Sequence, residues 1–135
     1  MLSALDFILA LLKIAREEGD VKVTPIKIQK IFFLLEKEGG VKLGLDFQPY
    51  LFGPYSQKLT DLLHKMAEQG LVKIRYEEVK NLARVTVGYA ESYEMAKDVN
   101  VDISEDVLSF FREWVKKDKN EILKYVNEKY PEYSV

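Results

Sequence analysis

Apolar positions in this chain recur first at helical spacing. Between Ser3 and about Glu18, Ala4, Phe7, Ile8, Leu11, Leu12 and Ala15 fall three and four residues apart, which predicts an amphipathic helix. Ser3 with Asp6 three residues later resembles a capping box that opens it, and Gly19-Asp20 ends it. A second helix is predicted from Thr24-Pro25, a cap followed by proline at the first position, to about Glu38, where Gly39-Gly40 stop it. Ile26, Ile28, Ile31, Phe32, Phe33, Leu34 and Leu35 make this helix apolar nearly all round, so it belongs at the centre of a domain. Lys27, Lys30 and Lys37 share the outer strip that is left. They either face an anion or nucleic acid, or simply keep a buried helix soluble.

A third helix carries Leu59, Leu62, Leu63 and Met66 at i, i+3, i+4 and i+7. Tyr55 extends that face one turn earlier. Pro54 suits the first helical position, Gly53 can take the dihedrals that the approach needs, and Gly70 suits a left-handed stop. The period then changes from helical to two. Leu71 to Tyr76 reads as a strand, Glu77 to Leu82 as a turn region with Asn81, and Ala83, Val85, Val87 and Tyr89 as the inward positions of a half-buried second strand. A two-stranded hairpin is marginal alone and must pack on the helices. Glu91 to Val101 is a connection. Ser104 opens a fourth helix with the face Val107, Leu108, Phe111, Trp114 and Val115, and a fifth covers about Asn120 to Tyr130, with Ile122, Leu123, Val126 and Tyr130 inward and Pro131 after it. The expected fold is α+β and mainly α: about five helices, with a small antiparallel hairpin after the third. That order is winged-helix-like in part, by analogy of fold only. Residues 1–135 are expected to form a single domain.

Composition describes an ordinary globular chain, 47% hydrophobic and 31% charged. The absence of cysteine excludes disulfides and thiol chemistry and favours a cytoplasmic location. No signal peptide is read at the start, and no apolar stretch approaches the roughly 20 residues that span a bilayer, so no membrane role is expected. The net charge of −2 does not favour nucleic acid, yet residues 21–75 hold nine Lys/Arg against five acids.

Catalytic constellations are missing from the pattern. The one histidine, His64, falls opposite the apolar stripe of the third helix, and one His without Cys cannot supply a usual zinc set. Asp61, His64 and Glu68 lie at helical spacing and could chelate a metal only weakly. Ser56 has no reason to meet His64 in a triad, and no glycine loop has the context of a phosphate cradle. No enzyme activity, cofactor or structural metal is expected.

One stretch does stand out. Phe47, Tyr50, Phe52 and Tyr55 place four aromatics in nine residues around Gly53-Pro54. Such a cluster forms a partner site or pins a loop to the core. Phe47 and Phe52 are expected to pack inward, and Tyr50 to be at least partly exposed.

Two segments carry a family resemblance. Lys27-Ile28-Gln29-Lys30-Ile31-Phe32-Phe33 is similar to the K-L-Q-K-L-L-Y-F helix of the Panacea, or SocA-like antitoxin, domain. Tyr50-Leu51-Phe52-Gly53-Pro54-Tyr55-Ser56 resembles that family's W-K-Y-G-P-V segment, and the ending Tyr125 to Tyr133 is like that of some phage-associated and archaeal members. The resemblance covers about Val23 to Tyr133. The chain lacks the family's tryptophan before Gly-Pro and its histidine near the C-terminal end. What the resemblance implies is a mainly helical domain with a small sheet. It also implies a non-enzymatic role in binding another protein, as an antitoxin that neutralises a toxin or an adaptor that presents one to a protease. The site would be Phe47, Tyr50, Phe52, Gly53, Pro54 and Tyr55. The other reading is a winged-helix DNA-binding regulator with Lys27, Lys30, Lys37, Lys58 and Lys65 toward the phosphates. On the outer face of the third helix, however, Lys58 and Lys65 are matched by Asp61 and Glu68, where a DNA reader shows a clear basic footprint.

Overall fold

The structure is a computed structural model that describes residues 2–134. Five helices and two small antiparallel sheets make up the chain: α1 (Ala4–Glu17), α2 (Pro25–Glu38), β1 (Gln48–Tyr50), β2 (Gly53–Tyr55), α3 (Gln57–Glu68), β3 (Val72–Lys80), β4 (Thr86–Met95), α4 (Glu105–Val115) and α5 (Lys119–Lys129). A 3-10 turn over Pro131–Tyr133 follows. The fold is α+β and mainly α, as the periodicities predict.

α2 is the centre. Every residue from Lys27 to Leu35 is buried, and α4, α5 and β2 pack around it while α1 packs on α4 and β4. Its start follows the sequence closely, with Thr24 accepting the Lys27 N–H at 3.3 Å and Pro25 in the first turn. Ser3 and Asp6 likewise open α1, the Ser3 N–H donating to Asp6 Oδ2 at 2.7 Å. Asp118 caps α5 by accepting the Glu121 N–H at 2.9 Å. At the far end of α2, Glu38 accepts from the Tyr130 hydroxyl at 2.7 Å, from Tyr125 and from Lys129, tying α5 to the core helix. Burial alone would raise the Glu38 carboxyl. The bonds from Lys129, Tyr130 and Tyr125 outweigh it and hold the group below its ordinary range.

The segment before α3 differs from the expectation. Pro54 is not a first helical residue and Tyr55 is not on the helix. Gly53-Pro54-Tyr55 pairs antiparallel with Gln48-Pro49-Tyr50 across a two-residue turn. The physical reason lies in the ladder. Such a turn makes Tyr50 and Gly53 the hydrogen-bonding pair, which leaves Pro49 and Pro54 opposite one another where no N–H is required. Gly53 has φ +92°, open to glycine and costly for any other residue. α3 begins at Gln57 instead, with Ser56 as its cap. The fully buried Ser56 hydroxyl accepts the Leu59 N–H at 3.0 Å and donates to the Leu45 carbonyl at 2.6 Å.

The β3–β4 hairpin is longer than predicted. The first strand runs through the expected turn to Lys80, and Glu91 to Met95 is strand rather than connection. Ala83, Val85, Val87 and Tyr89, expected to be half-buried, are exposed in the tip and outer part. Period two says which residues share a face, not that anything covers it. Only the base is covered: Val72 and Tyr93 are buried, and the Tyr93 N–H donates to the Val23 carbonyl at 2.8 Å. The tip is closed by Asn81, whose side-chain oxygen accepts from the N–H of Ala83 and of Val85.

Candidate functional site

The β1–β2 turn, the first half of α2, α3 and the hairpin base enclose a cavity of about 330 Å³. Its walls are mostly aromatic and aliphatic: Tyr50, Phe52 and Tyr55 from the turn, Ile28 from α2, Leu63 from α3 and Tyr93 from β4. Burial pushes the Tyr93 phenol up to about 12, with Glu91, Tyr55 and Tyr76 adding to the effect from nearby. The polar side chains of Gln29, Lys30, Thr60, His64 and Glu91 also line it.

Three polar side chains position the aromatic turn. Gln29 is buried and bonds at both ends of its amide. Its Nε2 donates to the Ser56 carbonyl at 2.9 Å and to Thr60 Oγ1 at 3.1 Å, and its Oε1 accepts the Ser56 N–H at 2.7 Å. The Tyr55 hydroxyl and Thr60 Oγ1 lie 2.8 Å apart, and the Tyr55 ring stands 5.2 Å from that of Tyr50. Lys30 reaches the same segment: its ammonium donates to the Pro54 carbonyl at 2.9 Å. That carbonyl points out of the two-stranded pair, because Pro54 occupies the non-bonding ladder position. Burial of Lys30 brings its pKa down to about 8. A Cβ on Gly53 would stand 3.3 Å from Asn127 Oδ1 and 3.4 Å from Lys30 Cε, so glycine here serves both the turn and the lysine.

The predicted site residues divide on this geometry. Tyr50, Phe52 and Tyr55 line the cavity, and Gly53-Pro54 form the strand that Lys30 holds. Tyr50 is 54% exposed, as expected, but Phe52 is 59% exposed where inward packing was expected. It sits in the two-residue turn, with no element above it. Phe47 is separate from the cavity. It packs edge-on against Phe33 at 5.5 Å and pins the preceding loop to the core.

The lysines do not form a stripe. Lys27 and Lys30 are 6% and 3% exposed, not on an outer strip, because α4, α5 and β2 pack around α2. The Lys27 ammonium donates to the Val115 carbonyl, and burial lowers its pKa against the opposing pull of Asp118. Lys37 is exposed and lies 5.2 Å from the Tyr133 ring centre. Lys58 pairs with Asp46, and Lys65 is exposed on α3.

Sequence reading missed Gln29, Thr60, Glu91 and Tyr93. Gln29 carried a signal: a lone amide in a helix apolar nearly all round must bond to something buried. Asp61 accepts from Gln57 at 2.9 Å, and no cluster of three His, Cys, Asp or Glu among the described residues is placed to hold a metal ion. No family model, curated protein or solved structure matches the chain. Among the described residues, no helix is long and apolar enough to cross a membrane.

Proposed function

We propose that this chain is a non-enzymatic, cytoplasmic protein-interaction domain of antitoxin-like type, which binds a partner protein such as a toxin or a protease through the aromatic β1–β2 turn. One observation carries the reading. Tyr50, Leu51 and Phe52 are 54%, 69% and 59% exposed on a turn whose backbone is anchored from below by buried Gln29, Lys30 and Ser56. Exposed apolar groups on a rigid support are what a binding surface needs, since little ordering entropy is lost on contact. The resemblance to the Panacea domain adds support, because its two motif segments meet: Gln29 and Lys30 bond directly to Pro54 and Ser56.

The test is co-purification from the native host with Tyr50→Ala and Phe52→Ala. Both side chains are at the surface, so stability should stay within about 1 kcal/mol of wild type, while the partner complex should weaken by about 2 kcal/mol or more. Unfolding of either variant, or an undiminished complex, would remove the turn from the interface.

A winged-helix DNA-binding regulator is the second reading. It is favoured by the hairpin that stands clear of the body just after α3, with Lys73, Arg75, Lys80 and Arg84 exposed along it. Against it, Arg75 is paired with Glu94 and Lys80 with Glu78.

A further inference from the structure

Lys30 is 3% exposed, and among the described residues only one of its three donors has an acceptor, the Pro54 carbonyl at 2.9 Å. Among the described residues no carboxylate stands within ion-pair distance of it, Glu91 of the same cavity included. Gln29 beside it is engaged by Ser56 and Thr60 through three bonds. A buried cation without a counter-charge is costly, and this one lines a largely apolar cavity together with Tyr50 and Phe52, which are 54% and 59% exposed. A carboxylate entering there would find a dry, charge-assisted bond of the strong kind.

The apolar surface continues past the cavity. Ile74 pairs with Tyr93, Tyr76 with Glu91 and Glu78 with Tyr89, so Tyr76 and Tyr89 share the hairpin face that carries Tyr93. Both are exposed, at 62% and 65%. A small carboxylic acid would fill the cavity and leave these rings and the rim in water. An internal loop of a partner would cover the rings but reach Lys30 only through an Asp or Glu side chain, with the backbone continuing on both sides of it at the mouth of a cavity of about 330 Å³. A polypeptide terminus meets both demands.

We infer that the cavity takes the C-terminus of the partner protein, with an apolar last side chain against Leu63 and Tyr93 and its α-carboxylate on Lys30. The residues before it cross Tyr50 and Phe52 toward the hairpin face. The inference rests on the interaction reading above.

The experiment uses an array of decapeptides tethered by their N-termini and ending in Phe, Leu, Ile, Val or Asp, each made as the free acid and as the amide. The purified full chain should bind apolar-ended acids about tenfold or more above their amides, the difference expected for losing a charge-assisted bond. Lys30→Met should erase that preference, and Tyr50→Ala should weaken the best acid by about tenfold. Equal binding of acids and amides, no binding to any peptide, or a preference kept by Lys30→Met overturns the inference. So does 3-phenylpropionate alone binding as tightly as the best peptide, which would make the cavity a small-acid site. The acid–amide comparison needs only the wild-type chain and decides the matter even where Lys30→Met does not fold. A blank array beside a Tyr50→Ala variant that loses its partner sinks the carboxylate inference and leaves the interaction reading standing. A positive array with an undiminished complex does the opposite.

Discussion

At the scale of single residues, Lys30 governs how the fold responds to alkali. An unfolded lysine titrates near 10.4, whereas burial brings Lys30 down to about 8. Below pH 8 both states hold the proton, so the cost of burying the cation is constant. Between about 8 and 10 the native chain releases its proton first, the unfolded chain binds more, and stability rises with pH. Tyr93 and Tyr130 act oppositely above about 10. Their phenols are pushed up to about 12 in the native state, so the unfolded chain ionises first and stability falls. The urea midpoint should therefore climb from pH 8 to 10 and drop beyond. The climb should correspond to about 1 kcal/mol, less than the full shift implies because the ammonium lies near an open cavity. Lys30→Met should flatten most of the climb, leaving a smaller part to Lys27, which burial also lowers. A midpoint equally flat in both proteins from pH 8 to 10 would show that the ammonium is not desolvated.

At the scale of elements, α3 gives the sharpest comparison. Ile31, Phe32, Leu59 and Leu62 were all expected in the core. The first three are fully buried, but Leu62 is only half-buried. Leu59→Ala should cost about 2–5 kcal/mol in urea unfolding, the range for a buried leucine, and Leu62→Ala clearly less. Equal costs would mean that something further covers Leu62. The stripe was legible because helical spacing ranks neighbours by face. Leu62 misled because the edge of a stripe and its centre look alike in sequence. The helices themselves were legible to within a residue or two, since Ser3, Thr24 and Ser104 stand just before their periodic runs. Pro54 was not, because a proline at a helix start and one at a non-bonding ladder position share the same local signature. Only the contact of Ser56 with Leu45, eleven residues back, decides between them. The outer hairpin was misjudged for a related reason: alternation fixes a face, and burial depends on what the rest of the chain places over it. Of the candidate site, the aromatic turn was readable as a local cluster. The cavity was not, because its opposite wall, Tyr93, comes from a strand read as a connection.

At the scale of the whole molecule, the distribution of charge separates the two functional readings. Residues 21–75 hold nine basic side chains, the feature that pointed toward nucleic acid. Folding disposes of most of them. Lys27 and Lys30 are buried, and Lys22, Lys58 and Arg75 are paired with Glu77, Asp46 and Glu94. Lys37, Lys42, Lys65 and Lys73 remain. Lys37, in the last turn of α2, lies over the Tyr133 ring, while Lys65 stands on α3 and Lys73 on the hairpin. With these four spread over separate elements and a net charge of −2 for the whole chain, this part of the molecule presents no continuous basic face and can neutralise only a few phosphates at once. Because each phosphate contact contributes about −0.9 to the slope of log affinity against log salt, a duplex of arbitrary sequence should give a slope no steeper than about −3. Fluorescence anisotropy between about 50 and 200 mM salt measures it directly, and binding at the upper end should be in or below the non-specific range of about 10⁻⁴–10⁻⁶ M. A sequence-specific complex tighter than about 10⁻⁸ M at physiological salt would turn the argument around. The exposed hairpin would then be a DNA-contacting wing, and the aromatic turn would lose its claim to be the principal surface.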